Sequence, residues 1–200
     1  MKLSLGCGIG VNKGYINIDC DTKEEILARY PGHNIPDDIE IYNLDIFHLP
    51  YDEGTIEEVY ANSLLEHLSF AEEPKFLYEV KRVLQPGGKF IFTVPDFNDI
   101  MNKWQKAEDN WMDFYRNDNE AITKLHWFGN YSYTTNNKWG YLTCSIYGTQ
   151  NGKGQFHQNC YTRGKIKAML KFAGFEVEDI SEYKWRGDRE LMLLVKAVKP

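Results

Sequence analysis

The sequence lacks any apolar run that approaches the ~20 residues needed to cross a membrane as a helix. It also lacks an apolar segment near residue 1 that would resemble a secretion signal. No two cysteines form a CxxC pair or show metal-ligand spacing. We therefore expect no membrane span, a reducing compartment and a cytoplasmic protein, in which the cysteines are free thiols: Cys7, Cys20, Cys144 and Cys160.

Excess positive charge is missing as well. The 29 acidic residues outnumber the 23 lysines and arginines, which leaves a formal net charge of −6. This balance argues against a general nucleic-acid-binding surface, so nucleic acid is not the expected partner. The chain also has no internal repeat and no low-complexity tract. Its 200 residues predict a single domain over residues 1–200.

Short apolar segments alternate with helical or loop segments in the first half of the chain. This pattern predicts an α/β fold with a mainly parallel sheet. A helix over residues 22–30 is expected to start at Thr22 and to stop at Pro31. A second helix over residues 64–85 is expected to be interrupted at Pro74. The predicted strands of this half cover residues 2–5, 15–19, 39–45, 56–63 and 89–95.

The pattern changes after residue 96. Residues 97–160 are rich in aromatic side chains and predict an insertion that packs locally or covers a bound acceptor as a lid. Its first part reads as helix, and the part over residues 129–155 reads as loop and short strand. An amphipathic helix closed by Gly174 follows, and two strands that form an antiparallel pair end the chain.

The segment "LSLGCGIG" is a strand that runs into a glycine-rich turn. Alone it is a weak signal, because any tight turn after a strand looks similar. A dinucleotide site needs a helix whose N-terminus holds the pyrophosphate, yet only Val11–Gly14 separate Gly10 from Tyr15. Four residues do not form a stable helix. The Gly-Lys-Ser/Thr ending of a P-loop is also missing, so the turn favours a ligand without phosphate.

Two predicted strands end in acidic residues, Asp19 and Asp45. S-adenosylmethionine is a phosphate-free ligand with a sulfonium, an amino-acid end, a ribose and an adenine. The acid after the second strand can accept hydrogen bonds from both ribose hydroxyls. The acid after the third strand can meet the adenine amino group. The alternative reading is that both are solvated acids at strand ends.

With these features the chain resembles the class I S-adenosylmethionine-dependent methyltransferases. The similar segments are, in order, "LSLGCGIG", "INIDCD", "LDIFHLPYDEGTIEEVYANSLLEHL", "VLQPGGKFIFTVPD" and "YTRGKIKAMLKFAGFEVEDIS". The resemblance implies a Rossmann-like seven-stranded sheet, shortened at its N-terminal side, with the last strand antiparallel. It implies S-adenosyl-L-methionine as the cofactor, lying across the carboxyl ends of the strands.

Family positions carry over to this chain residue by residue. The turn would line the cofactor, Asp19 would hold the ribose, Asp45 with the Ile46 amide would hold the adenine, and Asn62 would lie near the methionyl end. Two departures stand out: the family's usual acid is Ser4 here, and the helix between strands one and two is missing. The implied cofactor-binding residues are Gly6, Cys7, Gly8, Asp19, Asp45, Ile46 and Asn62.

The candidates for a general base are Asp96 and His157. Asp96 follows the fifth strand, although it could equally cap the next helix. Related methyltransferases often carry a histidine shortly before the last helix, as His157 does here, whereas His126 is expected to pack. Some relatives bind a metal through Glu-x-x-Glu-His and a distal histidine. Here the first Glu position is Ser63, so no metal is expected, and His67 is assigned a hydrogen-bonding role.

The resulting hypothesis is a transferase that methylates an oxygen of a small molecule or a glycan. Short bacterial and phage-type relatives, often linked to surface-glycan modification, suggest the glycan. The alternatives are a protein or nucleic-acid methyltransferase, or a module that binds S-adenosylmethionine or S-adenosylhomocysteine without catalysis. The expected partner is the acceptor, and a homodimer is compatible with the sequence.

Overall fold

A computed structural model describes residues 1–106, 138–150, 154–185 and 190–200. Its centre is a seven-stranded sheet with the strand order β3-β2-β1-β4-β5-β7-β6. All neighbours pair in parallel except β7, which runs antiparallel to both β5 and β6. The predicted fold class is therefore confirmed. The strands are β1 (Lys2–Leu5), β2 (Ile16–Asp19), β3 (Ile41–Asn43), β4 (Ile56–Asn62), β5 (Leu84–Pro95), β6 (Glu176–Trp185) and β7 (Glu190–Val198).

Helices join the strands and cover the sheet. They are α1 (Lys23–Arg29), α2 (Glu73–Val83), α3 (Phe97–Lys106), α4 (Lys138–Tyr147) and α5 (Arg163–Ala173), with a 3-10 turn at Leu65–His67. Among the described residues, none of these helices combines the length and apolar character that a membrane crossing requires. The hydrophobic core lies between the central strands and the helices, and its fully buried members include Leu5, Val59, Phe76, Phe92 and Leu170.

Helix boundaries follow the capping residues of the sequence. Thr22 caps α1 and forms a capping box, because its side chain accepts from the backbone N–H of Glu25 while the Glu25 carboxylate accepts from the backbone N–H of Thr22. Thr162 caps α5 in the same position, and that helix ends before Gly174. Both boundaries agree with the prediction.

Two predictions about local structure are wrong. Residues 138–147 form α4, although that segment predicted loop and short strand. Burial explains the helix, since Leu142 and Ser145 lie inside the protein and α4 packs against α3. Pro74 does not interrupt a helix, because it occupies the first turn of α2, where its missing N–H costs nothing.

The missing helix between β1 and β2 is replaced by a network of polar side chains. Asn17, which is buried, accepts from the backbone N–H of Asn12 at 2.7 Å. Its amide group donates to the carbonyl oxygens of Asn12 and Tyr15. The Asn12 side chain in turn donates to the Ser4 hydroxyl at 3.0 Å. Backbone groups of the connection between β1 and β2 thus find hydrogen-bond partners without a helix. Ser4, which stands where the family usually has an acid, takes part in this network.

We expect Asn17→Ala to lower the free energy of unfolding by about 2 kcal/mol, because it removes the partner of a half-buried N–H and of two carbonyl oxygens. Urea unfolding followed by circular dichroism measures this change. Asn34→Ala is the matched control, since Asn34 is exposed and its replacement should leave the midpoint unchanged. Equal stability of the two variants would contradict a structural role for the network.

Candidate functional site

The carboxyl ends of β1, β2, β3, β4 and β5 meet at one edge of the sheet, because these strands run parallel. The glycine turn follows β1, and Asp19 ends β2. The residue after β4 is Ser63, and Asp96 follows β5. The structure therefore gathers the predicted site residues at this edge, where ligands bind in open α/β sheets.

Backbone conformation explains the glycines of the turn. Gly6 and Gly8 have φ values of 60° and 49°, a region that favours glycine. A Cβ on Gly6 would lie 2.7 Å from Leu64 Cδ1, so that side of the turn is packed. A Cβ on Gly8 would meet nothing within 4 Å. The Gly8 side of the turn thus faces open space in which a ligand can approach the backbone.

Cys7 contributes to the turn through its backbone. Its N–H donates to the carbonyl oxygen of Ile18 at 3.2 Å, which ties the turn to β2. Its side chain is buried, and burial, with the nearby Asp19 charge, raises the pKa of the thiol to about 12. A thiol with such a pKa stays protonated and unreactive at neutral pH.

Asp19 holds the turn from the end of the neighbouring strand. Its Oδ2 accepts from the backbone N–H of Gly8 at 2.8 Å, and its Oδ1 accepts from that of Asp21 at 3.1 Å. The side chain is only 8% exposed. A carboxylate offers about four lone-pair sites, so each oxygen keeps capacity for a ligand hydroxyl.

Asp45 lies beyond β3 and is more exposed. Its Oδ1 accepts from the backbone N–H of Phe47, and its Oδ2 pairs with His48 Nδ1, both at 2.9 Å. The bond with His48 and then the bond with Phe47 lower the pKa of this carboxyl group below its usual value. Asp45 is therefore ionised at neutral pH, and Ile46 beside it packs against the core.

The segment that follows Asp45 is held from α2. Glu79 is buried and accepts from the backbone N–H of Leu49 at 2.6 Å. Arg82 pairs with Glu79 and donates to the carbonyl oxygens of Leu49 and Tyr51. The sequence did not single out this pair, because an i, i+3 acid and base on a helix usually lie on a solvated face.

The end of β4 is tied to β5. The Asn62 side chain accepts from the Thr93 hydroxyl, and the Ser63 N–H donates to the carbonyl oxygen of Thr93 at 3.1 Å. Ser63 has a φ of 51°, which is uncommon for a residue with a side chain. Asn62 itself is exposed at this edge of the sheet, and its contact with the methionyl end of the cofactor stays a prediction.

Asp96 caps α3. Its Oδ1 accepts from the backbone N–H of Asn98 at 3.0 Å, and its carbonyl oxygen accepts from that of Ile100. Its side chain is buried. These contacts support the capping alternative and leave the predicted catalytic role of Asp96 as a prediction.

His157 lies far along the chain yet beside the 3-10 turn that follows β4. Its ring centroid is 4.8 Å from that of His67, with the two planes nearly perpendicular. Gly148 makes this placement feasible, because a Cβ there would lie 2.2 Å from the carbonyl oxygen of Gln155. Burial, and then the neighbouring His67, lower the pKa of His157 to about 4, so His157 is neutral at pH 7. His126 lies outside the described residues.

A small cleft adjoins His157. It has apolar walls from Phe97, Ile100 and Ile146, and polar groups from Glu66 and Ser145. The backbone N–H groups of residues 158 and 159 donate to the carbonyl oxygen of Glu66, which docks the distal segment on the 3-10 turn. Much of the predicted aromatic insertion, residues 107–137, lies outside the described residues.

Residues 3–92 match a family model described as "Methyltransferase domain". A probable S-adenosylmethionine-dependent methyltransferase of Mycolicibacterium smegmatis is 30% identical over 104 residues, which are 47% of this chain and 37% of that protein. An uncharacterized 37.1 kDa protein in transposon TN4556 of Streptomyces fradiae is 31% identical over 109 residues, 49% of this chain and 31% of that protein. The chain thus spans about a third of these relatives' length.

A solved structure shares the fold. The 1,6-didemethyltoxoflavin-N1-methyltransferase of Burkholderia thailandensis, with bound S-adenosylhomocysteine, has a TM-score of 0.57 and 13% identity, covering 99% of this chain and 70% of that one. The two chains have the same fold. The family model covers the segment of this chain that carries the glycine turn and the two strand-end acids, Asp19 and Asp45.

Proposed function

We propose that this protein is a class I S-adenosylmethionine-dependent methyltransferase, in keeping with the match of residues 3–92 to a family model described as "Methyltransferase domain". In this proposal it transfers the methyl group of S-adenosylmethionine to an oxygen of a small molecule or a glycan. The observation that carries the proposal is the hydrogen bond between Asp19 and Gly8. It places an acid at the end of β2 against an open glycine turn at the end of β1, which suits a ribose and a linker without phosphate rather than a pyrophosphate.

In this proposal the cofactor lies along the edge formed by the carboxyl ends of the strands. Asp19 accepts from the ribose hydroxyls through the lone pairs that Gly8 and Asp21 leave available. Asp45 and the Ile46 amide contact the adenine. Glu79 and Arg82 anchor the turn that follows these two residues. The turn, with Gly6, Cys7 and Gly8, and the exposed Asn62 line the methionyl side.

Methyl transfer is an in-line displacement at a cationic methyl group, so the protein acts mainly by aligning donor and acceptor. The methyl passes to the acceptor oxygen, S-adenosylhomocysteine leaves, and the hydroxyl proton must go to a base. Neutral His157 is our candidate for that base because it borders the cleft. Its low pKa makes it a weak base, and Asp96 is the second candidate.

The cleft supports a compact acceptor. Its lining mixes apolar side chains with polar ones in about equal measure. A sugar ring has the same mixture of apolar faces and hydroxyl groups. The net charge of −6 favours such an acceptor over nucleic acid.

Calorimetric titration with S-adenosylmethionine and S-adenosylhomocysteine tests the cofactor, with a nicotinamide dinucleotide as the comparison ligand. We expect saturable binding of both sulfur ligands and none of the dinucleotide. The reverse pattern would refute the methyltransferase proposal. Binding without product in a panel of sugar and small-molecule acceptors would favour the non-catalytic alternative.

A further inference from the structure

Three side chains of metal-ligating type meet beside the cleft. Glu66 and His67 belong to the 3-10 turn after β4, and His157 comes from the segment that precedes α5. One ligand atom from each residue lies within 4.8 Å of the others. We expected no metal here because Ser63 replaces a carboxylate, and no sequence pattern brings these three side chains together.

Hydrogen bonds fix how both imidazoles are oriented. His67 Nδ1 lies 3.1 Å from the carbonyl oxygen of Phe156, and His157 Nδ1 lies 3.0 Å from that of Ser145. A carbonyl only accepts, so each Nδ1 carries the hydrogen and each Nε2 keeps its lone pair. Within the described part of the chain neither Nε2 takes part in a hydrogen bond. Metal-ligating histidines are commonly oriented in this way, by a backbone carbonyl on the other ring nitrogen.

Glu66, only 2% exposed, brings a buried carboxyl group to the same place as the two imidazoles.

We propose that Glu66, His67 and His157 bind a single divalent metal ion. Two imidazoles and one carboxylate form a ligand set that suits zinc and related first-row ions, whereas magnesium prefers oxygen ligands. The absence of a second carboxylate at Ser63 strengthens this choice, because a hard cation loses more from that absence than zinc does.

Closing the site requires a small movement. Ligand atoms about 2.1 Å from a tetrahedral ion lie about 3.4 Å apart, so separations of up to 4.8 Å must shorten. Small rotations of the three side chains would supply this. Three protein ligands leave a coordination position open, as in catalytic zinc sites.

The role of the ion rests on the proposed function. The cleft borders Glu66 and His157, so the open position is available to an acceptor oxygen. Coordination would lower the pKa of that hydroxyl group, and its proton would pass to water when the methyl group arrives. The ion would thereby take over the role of a general base in the proposed reaction.

The test uses the intact protein after treatment with a chelator. Zn²⁺ and Co²⁺ are titrated calorimetrically, and the absorption spectrum of bound Co²⁺ reports the ligand atoms. We expect one ion per chain and a spectrum without sulfur-to-cobalt charge transfer. His67→Asn and His157→Asn each keep a donor near the Nδ1 position but remove Nε2, so each should weaken binding by about 100-fold.

His33→Asn is the matched control, since His33 is exposed and distant in sequence, and it should bind as the original protein does. Circular dichroism verifies that each variant is folded, and Glu66→Gln provides an isosteric third test. Absence of saturable binding, thiolate ligation, or equal affinity in the control and the three ligand variants would overturn the site. S-adenosylmethionine binding, measured separately without metal, shows whether the proposed function fails instead.

Discussion

Asp19→Asn is expected to weaken S-adenosylmethionine binding by about 100-fold while the protein stays folded. Asparagine keeps the size of the side chain and one acceptor oxygen, which can still meet the Gly8 N–H seen at 2.8 Å. It loses the charge and the second acceptor, which the ribose hydroxyls need. Hydrogen bonds to a charged group contribute about 1.5–3 kcal/mol, and about 2.7 kcal/mol corresponds to the expected factor. Calorimetry measures the dissociation constant.

Asp179→Asn is the matched control for this experiment. Asp179 is an exposed aspartate on β6, at the opposite edge of the sheet from β2 and β3. The same chemical change there should leave the affinity unaltered. Asp19→Ala separates two roles, because it also removes the acceptor for Gly8 and should lower the stability of the turn. If Asp19→Asn binds S-adenosylmethionine as tightly as the original protein does, Asp19 does not contact the ribose.

Glu79→Gln is expected to lower the free energy of unfolding by about 3 kcal/mol. The carboxylate is buried and is surrounded by donors, namely the Leu49 N–H and the Arg82 guanidinium. A glutamine amide would have to turn its NH₂ group toward one of these donors. Loss of one partner from a buried ion pair is costly because the other charge stays behind. Chemical denaturation at pH 7 measures the loss.

The loss of stability caused by Glu79→Gln should become smaller as the pH falls. The hydrogen bonds from Arg82 lower the pKa of Glu79 in the folded protein below its usual value. A group with a depressed pKa stabilises the fold above its unfolded pKa and loses this contribution as the pH falls through its folded pKa. The stability difference between Glu79→Gln and the original protein should therefore shrink below about pH 4. Glu178 is exposed on β6. Glu178→Gln should therefore have the stability of the original protein both at pH 7 and below about pH 4.

Glu79 also connects stability with the site, because it anchors the turn that follows Asp45. If that turn positions the adenine contact, the same variant should bind S-adenosylmethionine more weakly at temperatures where it is still folded. A stability loss with full affinity would limit Glu79 to a structural role.

Sequence patterns predicted the sheet and the acids well, for a local reason. Strand ends and glycine turns depend on neighbouring residues, and parallel strands bring their carboxyl ends to one edge. Asp19 could therefore be placed beside the turn after β1 without coordinates. The helices with capping threonines, α1 and α5, were predictable on the same basis.

Tertiary packing decided the features that were mispredicted or missed. α4 is helical because Leu142 is buried where α4 packs against α3, which outweighs the local preference for loop and strand. The Asn12–Asn17 network becomes visible only when the chain between β1 and β2 is folded back on itself.

The sequence by itself determined the class of protein: the order of the strands, the turn without a helix behind it, and the acids that follow two strands. Only the tertiary structure decided what lies next to the proposed methyl-transfer site. His67 and His157 are ninety positions apart in the chain, and no periodicity links them, so no sequence pattern could show that their rings are 4.8 Å apart. Their proximity depends on the docking of residues 156–159 on the turn after β4, a contact that exists only in the folded chain.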